Sequence, residues 1–478
     1  MKIPFQSFLL LLALPVSVAT LALSPEEIDK AVRAAKDAPK NQTLNKEAAD
    51  LLKEAGRYNE AIQHYLKSGN AGNLGIAESY FYLYNYDKAE EYLEKYLAKR
   101  SKAEAAKDMD FSYGDGSETI DWTDYLSSRI DLGRSMLDRV EKIQVIDSVN
   151  VPSDTFFKFL TLAKSAGSLK DESAVENILS QRQMQQLGVT NLWSPVYVSD
   201  GGEDMIWYAS SDDGNSKLFE SSRLSDGKWD SPKALFDYES IFGDKNGSWV
   251  AYPFLMSDGV TLYFAADGEA SLGELDIFIS RRDEDGFLQP SNIGMPYNSP
   301  FNDYLYAIDE ETGAGWWVSD RNMIEDSVTI YTFIPQDLRI NYPVDTPDLA
   351  SYARIKSIAS TQDSSADYTQ LRDRIKAAAM ASRTEADKKE EFRFALPGGK
   401  IYTTLGDFKN PQAKAAMENY ISEKKSYDLL KRQLNQLRAT YRNGDVRISS
   451  DILDMERTLE HKRSELLRLK NQVVSSEM

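Results

Sequence analysis

The sequence predicts a multidomain chain of mixed α and β structure, with a helical array first, a repetitive antiparallel β region in the middle and a helical hairpin last. Three observations carry this. Between Leu44 and Ala98 the apolar residues recur at helical spacing. From Trp193 to Phe333 short β-branched and aromatic runs alternate with Asp-Gly pairs, and six of the seven tryptophans fall there, marking a large aromatic β core. After Pro411 two long apolar seams flank Arg442-Asn443-Gly444-Asp445.

These shifts divide the 478 residues into a signal peptide (1–22), helical repeats (23–107), a loop and helical connector (108–140), a β region with helical insertions (141–405, clearest repeats at 193–335) and a helical hairpin (406–478). Lys2 precedes an apolar run from Phe8 to Val18, and small Thr20 and Ala22 suit cleavage near Ala22, so the chain is expected to be exported to the periplasm. A retained N-terminal anchor is the alternative. Ser24-Pro25-Glu26-Glu27 then reads as a capped helix start. Beyond the N-terminus no uninterrupted run reaches about 18 apolar residues, so no integral membrane segment is expected. The chain has no cysteine, which removes lipid attachment at a cysteine, disulfides, thiol catalysis and cysteine-ligated metals together. A net charge of −19 argues against nucleic acid as a partner, because phosphates would be repelled at long range.

The array reads as four helices. Gly56-Arg57-Tyr58, Ala61 and Tyr65 return as Tyr84-Asn85-Tyr86, Ala89 and Leu93. This resembles the tetratricopeptide repeat, in which small alanines sit where helices cross and aromatics pack on the next helix. The copies lie 28 residues apart, closer than the usual period of roughly 34. A helix beginning near Pro25 and helices between Trp122 and Lys142 would cover the ends of so short a stack. A generic helical bundle would share the same aromatic core. In tetratricopeptide arrays the inner groove is lined by the first helix of each pair; the resemblance therefore implies Lys46, Asp50, Lys53, Glu78 and Phe81 as partner-binding candidates. Ordinary solvated positions explain the same residues.

The β region repeats itself. Its clearest copy runs Ser257-Asp258-Gly259, Leu262-Tyr263-Phe264, Leu275 to Arg282, Asp285-Gly286-Phe287 and Pro290. The first Asp-Gly supplies a hairpin turn, Leu-Tyr-Phe a central strand and the second Asp-Gly a turn into an outer strand, so one copy is one four-stranded sheet. An earlier copy is Ser199-Asp200-Gly201, Met205 to Ala209, Lys217 to Glu220, Asp226-Gly227-Lys228-Trp229 and Pro232. A degraded third spans Tyr304 to Asp309, Gly315 to Val318 and Thr329 to Phe333. The pattern resembles TolB-like, WD-repeat-like β-propeller repeats, with Ile293 to Ser299 similar to the linker between blades. A closed ring needs at least about four blades, so further sheets are expected from Ile143 to Val151 and from a hairpin between Phe392 and Thr404 turning at Pro397-Gly398-Gly399. Chains joining these two repeat types occur in the envelopes of Bacteroidetes-like bacteria, some as periplasmic parts of protein-secretion or outer-membrane machinery. Several end in an OmpA-like peptidoglycan-binding domain; this chain ends in helices and departs from that pattern.

Chemistry is scarce. The two histidines, His64 and His461, sit in helical patterns, where packing and a solvated face explain them, and phosphate-cradling glycine motifs are missing. No catalytic residue, metal or cofactor is expected. Asp200, Asp258 and Asp309 occupy turn positions that explain their carboxylates. The preferred expectation is a non-catalytic interaction scaffold for envelope or secretion proteins; the alternative is a glycan-binding or glycan-processing propeller using paired carboxylates and exposed Trp193 or Trp249.

In the C-terminal hairpin, Ala416, Tyr420, Tyr427, Leu430, Leu434, Leu437 and Tyr441 alternate by three and four, with Glu423 the polar exception. Ile448, Ile452, Met455, Leu459, Leu466, Leu469 and Val473 do the same, with Lys462 the exception. Each stripe needs a partner, so the two should fold back on each other as a coiled-coil-like hairpin suited to docking or self-association. Residues 412–478 hold thirteen Lys plus Arg against ten Asp plus Glu, a local +3 that leaves −22 on the remainder.

Overall fold

The computed structural model describes residues 25–108, 111–113, 118–211, 216–224, 227–236, 249–283, 286–363, 365–384, 392, 394–396, 400–402, 404–442 and 449–477. The expected signal peptide and the Pro397-Gly398-Gly399 and Asn443-Gly444 turns lie outside the described residues.

Among the described residues seven helices come first: α1 (Pro25–Asp37), α2 (Gln42–Glu54), α3 (Tyr58–Tyr65), α4 (Asn73–Tyr82), α5 (Tyr86–Leu97), α6 (Lys102–Asp108) and, after a short ribbon of β1 (Phe111–Tyr113) and β2 (Glu118–Ile120), α7 (Trp122–Leu137). Asn41 starts α2 by accepting from the amides of Thr43 and Leu44, and Asn85 starts α5 by accepting from that of Lys88. The two repeats end their first helices alike. Gly56 (φ +71°) and Tyr84 (φ +59°) take the left-handed position after α2 and α4, and the residue after each donates back to Leu52 and Tyr80. Both ends of the stack are covered, as the pattern anticipates: Ile28 of α1 packs with Leu52, Ile62 and Tyr65, while Leu126 and Ile130 of α7 pack with Phe81, Tyr86 and Leu93.

Among the described residues three antiparallel sheets follow. The first to be completed runs β4-β5-β6-β7-β8 (Ser168–Lys170, Val189–Val198, Asp204–Ser211, Ser216–Ser222, Lys233–Ala234). The second is β12-β11-β10-β9 (Ser291–Asn292, Asp276–Arg281, Thr261–Ala266, Val250–Leu255). The third is β13-β14-β15 (Asp303–Asp309, Ala314–Ser319, Ser327–Ile334) with β3 (Gln144–Pro152) as its outer strand, paired from Ser327↔Pro152 to Ile334↔Gln144. Among the described residues of 193–333 the single helical element is a turn at Asp200–Gly202.

The run from Ile143 to Val151 therefore adds no new sheet: it supplies the outer strand that the degraded third repeat lacks. The hairpin β16 (Phe394–Leu396) and β17 (Lys400–Tyr402) adds none either. Its Phe394, Leu396 and Tyr402 bury against Ala413, Ala416, Met417 and Val473 of the C-terminal helices, so it packs with them and not with the β region. The helical pattern between Phe156 and Leu187 yields short turns, the edge strand β4 and the one- to two-turn α8 (Ser173–Glu176) and α9 (Gln181–Gln186).

One apolar cluster joins the three sheets. Tyr208 of β6, Tyr252 of β9 and Tyr304 of β13 form a chain of rings 5.5 Å apart, and Phe156 lies against the last two. Two helices follow β15: α10 (Leu349–Ala353), which packs on α7, and α11 (Thr369–Thr384), whose Arg372 donates to the Ile146 carbonyl and so covers β3. The hairpin α12 (Pro411–Arg442) and α13 (Ser449–Glu477) closes the chain. Its free end is tied to its start: the Glu477 carboxylate accepts from Tyr402 Oη and the amides of Lys409 and Asn410.

Candidate functional site

The groove candidates start from α2, where Lys46, Asp50 and Lys53 follow one another by four and three and so share a helix face. Lys46 Nζ pairs with Asp50 Oδ2 at 2.8 Å, and Tyr65 Oη donates to Asp50 Oδ1 at 2.7 Å. Burial above all, and then the Asp50 carboxylate, push the Tyr65 hydroxyl far above its ordinary value, so it stays protonated and keeps donating. Lys46 and Asp50 keep 43% and 37% of their side chains exposed and are the reachable part of this face.

The other three candidates are not offered to solvent. Lys53 pairs with Glu78 Oε2, and Trp122 Nε1 donates to Glu78 Oε1 at 2.9 Å; the side chains of Lys53 and Glu78 are only 11% and 9% exposed. The pair is thus a polar lock holding α7 onto α2 and α4. Phe81 is a correction: it is 5% exposed, with its ring edge-on to Tyr86 inside the core beneath α7. Sequence position could not separate groove from core here, because α4 carries apolar or aromatic residues around its whole circumference.

The histidines and turn carboxylates stand as follows. His64 is buried with Nδ1 3.0 Å from Asn45 Oδ1, and burial, then Lys67 and Lys36, lower its pKa. His461 is exposed. Asp258 accepts from the amides of Val260 and Thr261, and Asp309 from those of Ala163, Glu311 and Thr312. Both therefore shape backbone turns.

A group that sequence reasoning missed lies where the array meets the sheets. Arg129 of α7 donates to the carbonyls of Gly268 and Glu269 and lies beside Asp267, which is followed by Glu274 and then by Asp320. Asn302 Nδ2 lies 3.5 Å from Glu274 Oε2 and 3.1 Å from Asp320 Oδ2, while Tyr304 Oη donates to Asp320 at 2.9 Å. Burial pushes Asp267 and Glu274 up to about 7 and Asp320 up to about 6. Trp193 and Trp249, both half-buried, meet edge-on at 5.8 Å nearby, and the Trp249 amide donates to Asp267.

A second lock fixes the connection between sheets. Arg321 donates to the carbonyls of Pro296 and Tyr297 and pairs with Asp303 at 2.7 Å, with both side chains almost fully buried. Among the described residues no group of three or more His, Asp or Glu is arranged to hold a metal ion, and no helix is long and apolar enough to cross a membrane. No family model, curated protein or solved structure matches this chain.

Proposed function

We propose that the chain is a non-catalytic protein–protein interaction scaffold of the bacterial periplasm, exported on its N-terminal signal and built from a tetratricopeptide-like array, a TolB-like propeller-type β region and a docking hairpin. The observation that carries this reading is on the hairpin. Leu434, Leu459, Leu469 and Val473 close its seam from within, yet Leu429, Leu453 and Leu467 remain 50%, 54% and 60% exposed. Burying a leucine is worth about 1.5–3 kcal/mol, so a partner that covers these three gains affinity from surface the chain itself leaves wet. Leu453 and Leu467 are fourteen residues apart, four helical turns, and so share one face of α13.

Other features support the scaffold. The Lys53–Glu78–Trp122 lock and the Arg129 bonds stiffen the array and tie it to the sheets, so the outward Lys46 and Asp50 face is held in one orientation. The propeller-type reading rests on the three sheets meeting through Tyr208, Tyr252 and Tyr304, with β3 completing the last of them. The local +3 of the hairpin suits an acidic protein surface. The test is to compare the full chain with a Leu453→Glu/Leu467→Glu variant by co-fractionation with envelope extracts. The variant should keep its helix content and lose the assembly; an unchanged assembly contradicts the reading.

One observation favours the glycan alternative: the half-buried Trp193 and Trp249 stand next to carboxylates with raised pKa values. Glycan-panel binding and turnover assays separate the two readings.

A further inference from the structure

A cavity of about 400 Å³ opens where the ends of α2, α4 and α10 meet the loops around Phe301 and Arg321 to Met323. Three of these walls are helix C-termini with the same cap. Gly56, Tyr84 and Ile355 (φ +51°) each adopt the left-handed conformation after a helix, and Met323 (φ +50°) adopts it in the facing loop. Of the six non-glycine residues with positive φ among the described residues, three therefore line this one cavity. For bulky or β-branched side chains this conformation is strained, and such strain gathers at ligand clamps.

The charges point to the class of ligand. Arg57 is held by Glu60 through two bonds of 2.8 and 2.7 Å, and Arg321 by Asp303, so neither is free to bind. Arg354 and Lys356 also line the cavity and have no acidic partner among the described residues. Arg354 lies over the Tyr84 ring at 6.0 Å. A helix C-terminus carries at most about half a negative charge, and α10 is only five residues long. Two whole cations thus outweigh the helix ends, leaving a positive recess on a chain of net charge −19. The lining is also aromatic: Tyr58 and Tyr82 stack at 5.0 Å, and Phe301 lies 5.2 Å from Tyr82. Asn59 also lines the cavity.

We propose that this cavity binds a small organic oxyanion, about the size of a sugar acid or sugar phosphate, with Arg354 and Lys356 holding its charged group and the Tyr58, Tyr82 and Phe301 rings lying against its body. A carboxylate and a phosphate both match the guanidinium fork, and the volume is at the lower end of the range for small-molecule sites.

The test is isothermal titration calorimetry on the full chain at low ionic strength with four probes: D-glucuronate, glucose 1-phosphate, inorganic phosphate and uncharged D-glucose. At least one sugar anion should bind and D-glucose should not, and the preferred anion assigns carboxylate or phosphate. An Arg354→Gln/Lys356→Gln variant should bind about tenfold or more weakly. Lys356→Gln alone changes only an exposed side chain, keeps the fold and should give a smaller loss in the same direction. Failure of both sugar anions to bind at millimolar concentration overturns the assignment. So does equal binding of D-glucose, binding of inorganic phosphate alone, or unchanged affinity in the double variant.

Discussion

Glu423 and Lys462, the one polar residue in each apolar seam of the C-terminal hairpin, meet each other: Oε2 and Nζ are 2.6 Å apart across α12 and α13. A polar pair inside a seam fixes register, because any slip would bury each charge against leucine. The pair is partly exposed, at 37% and 23%, so its contribution to stability is modest and its contribution to alignment is the larger effect.

Replacing one partner should therefore hurt more than replacing both. Lys462→Met alone should destabilise the hairpin by about 1 kcal/mol, whereas Glu423→Leu/Lys462→Met should recover that loss and self-associate through the lengthened apolar seam. Hydrogen exchange over 411–477 and sedimentation velocity read the two effects. A double variant that is less stable than either single one contradicts the register argument.

The partly buried carboxylates between the array and the sheets give a pH dependence of defined sign. Asp267 titrates near 4 in an unfolded chain, but burial pushes it up to about 7 in the fold. The folded state then holds the proton more tightly, so this residue's contribution to stability is fully present below about pH 4 and is lost as pH rises towards 7. Asp267→Asn should leave the urea midpoint unchanged at pH 4 and raise it at pH 8. A midpoint that falls further at pH 8 than at pH 4 would show that the carboxylate's bond to the Trp249 amide outweighs its desolvation.

Arg321 and Asp303 form a pair of the opposite character, sealed from solvent. Arg321→Met leaves the Asp303 charge and the carbonyls of Pro296 and Tyr297 unmatched, and should cost about 3–5 kcal/mol in urea unfolding. A loss below about 1 kcal/mol would mean that water reaches the site.

Gly56 couples the array to the β region through shape. Its φ is +71°, and a Cβ there would lie 2.6 Å from Met323 Sδ. Gly56→Ala should lower stability by about 1 kcal/mol or more, and Met323→Ala in the same chain should return the part due to the clash. No recovery would assign the whole loss to backbone conformation.

The seams and their polar exceptions were legible because helix periodicity is local and both stripes are long. The matching of Gly56-Arg57-Tyr58 with Tyr84-Asn85-Tyr86 was legible for the same reason; that Gly56 and Tyr84 share a left-handed cap is seen only in the structure. Asp258-Gly259 likewise marks the turn between β9 and β10. The pairing of β3 with β15 was not legible, since residues 144 and 334 are far apart in sequence and nothing in either run names its partner. Glu78 looked like a groove residue because its partners Lys53 and Trp122 come from other helices. Nothing in the sequence around Asp267 and Glu274 marks them, because the desolvation that raises a loop carboxyl depends on what folds over it.

Site-specific photo-crosslinking in cells tests the scaffold reading most directly. A crosslinking side chain at Leu453 or Leu467 should capture another envelope protein or a second copy of the chain, while one at Thr458, exposed on the same helix but turned away from both leucines, should capture far less. Equal capture at all three positions, or none at the two leucines, would contradict the assignment of the hairpin as the docking element.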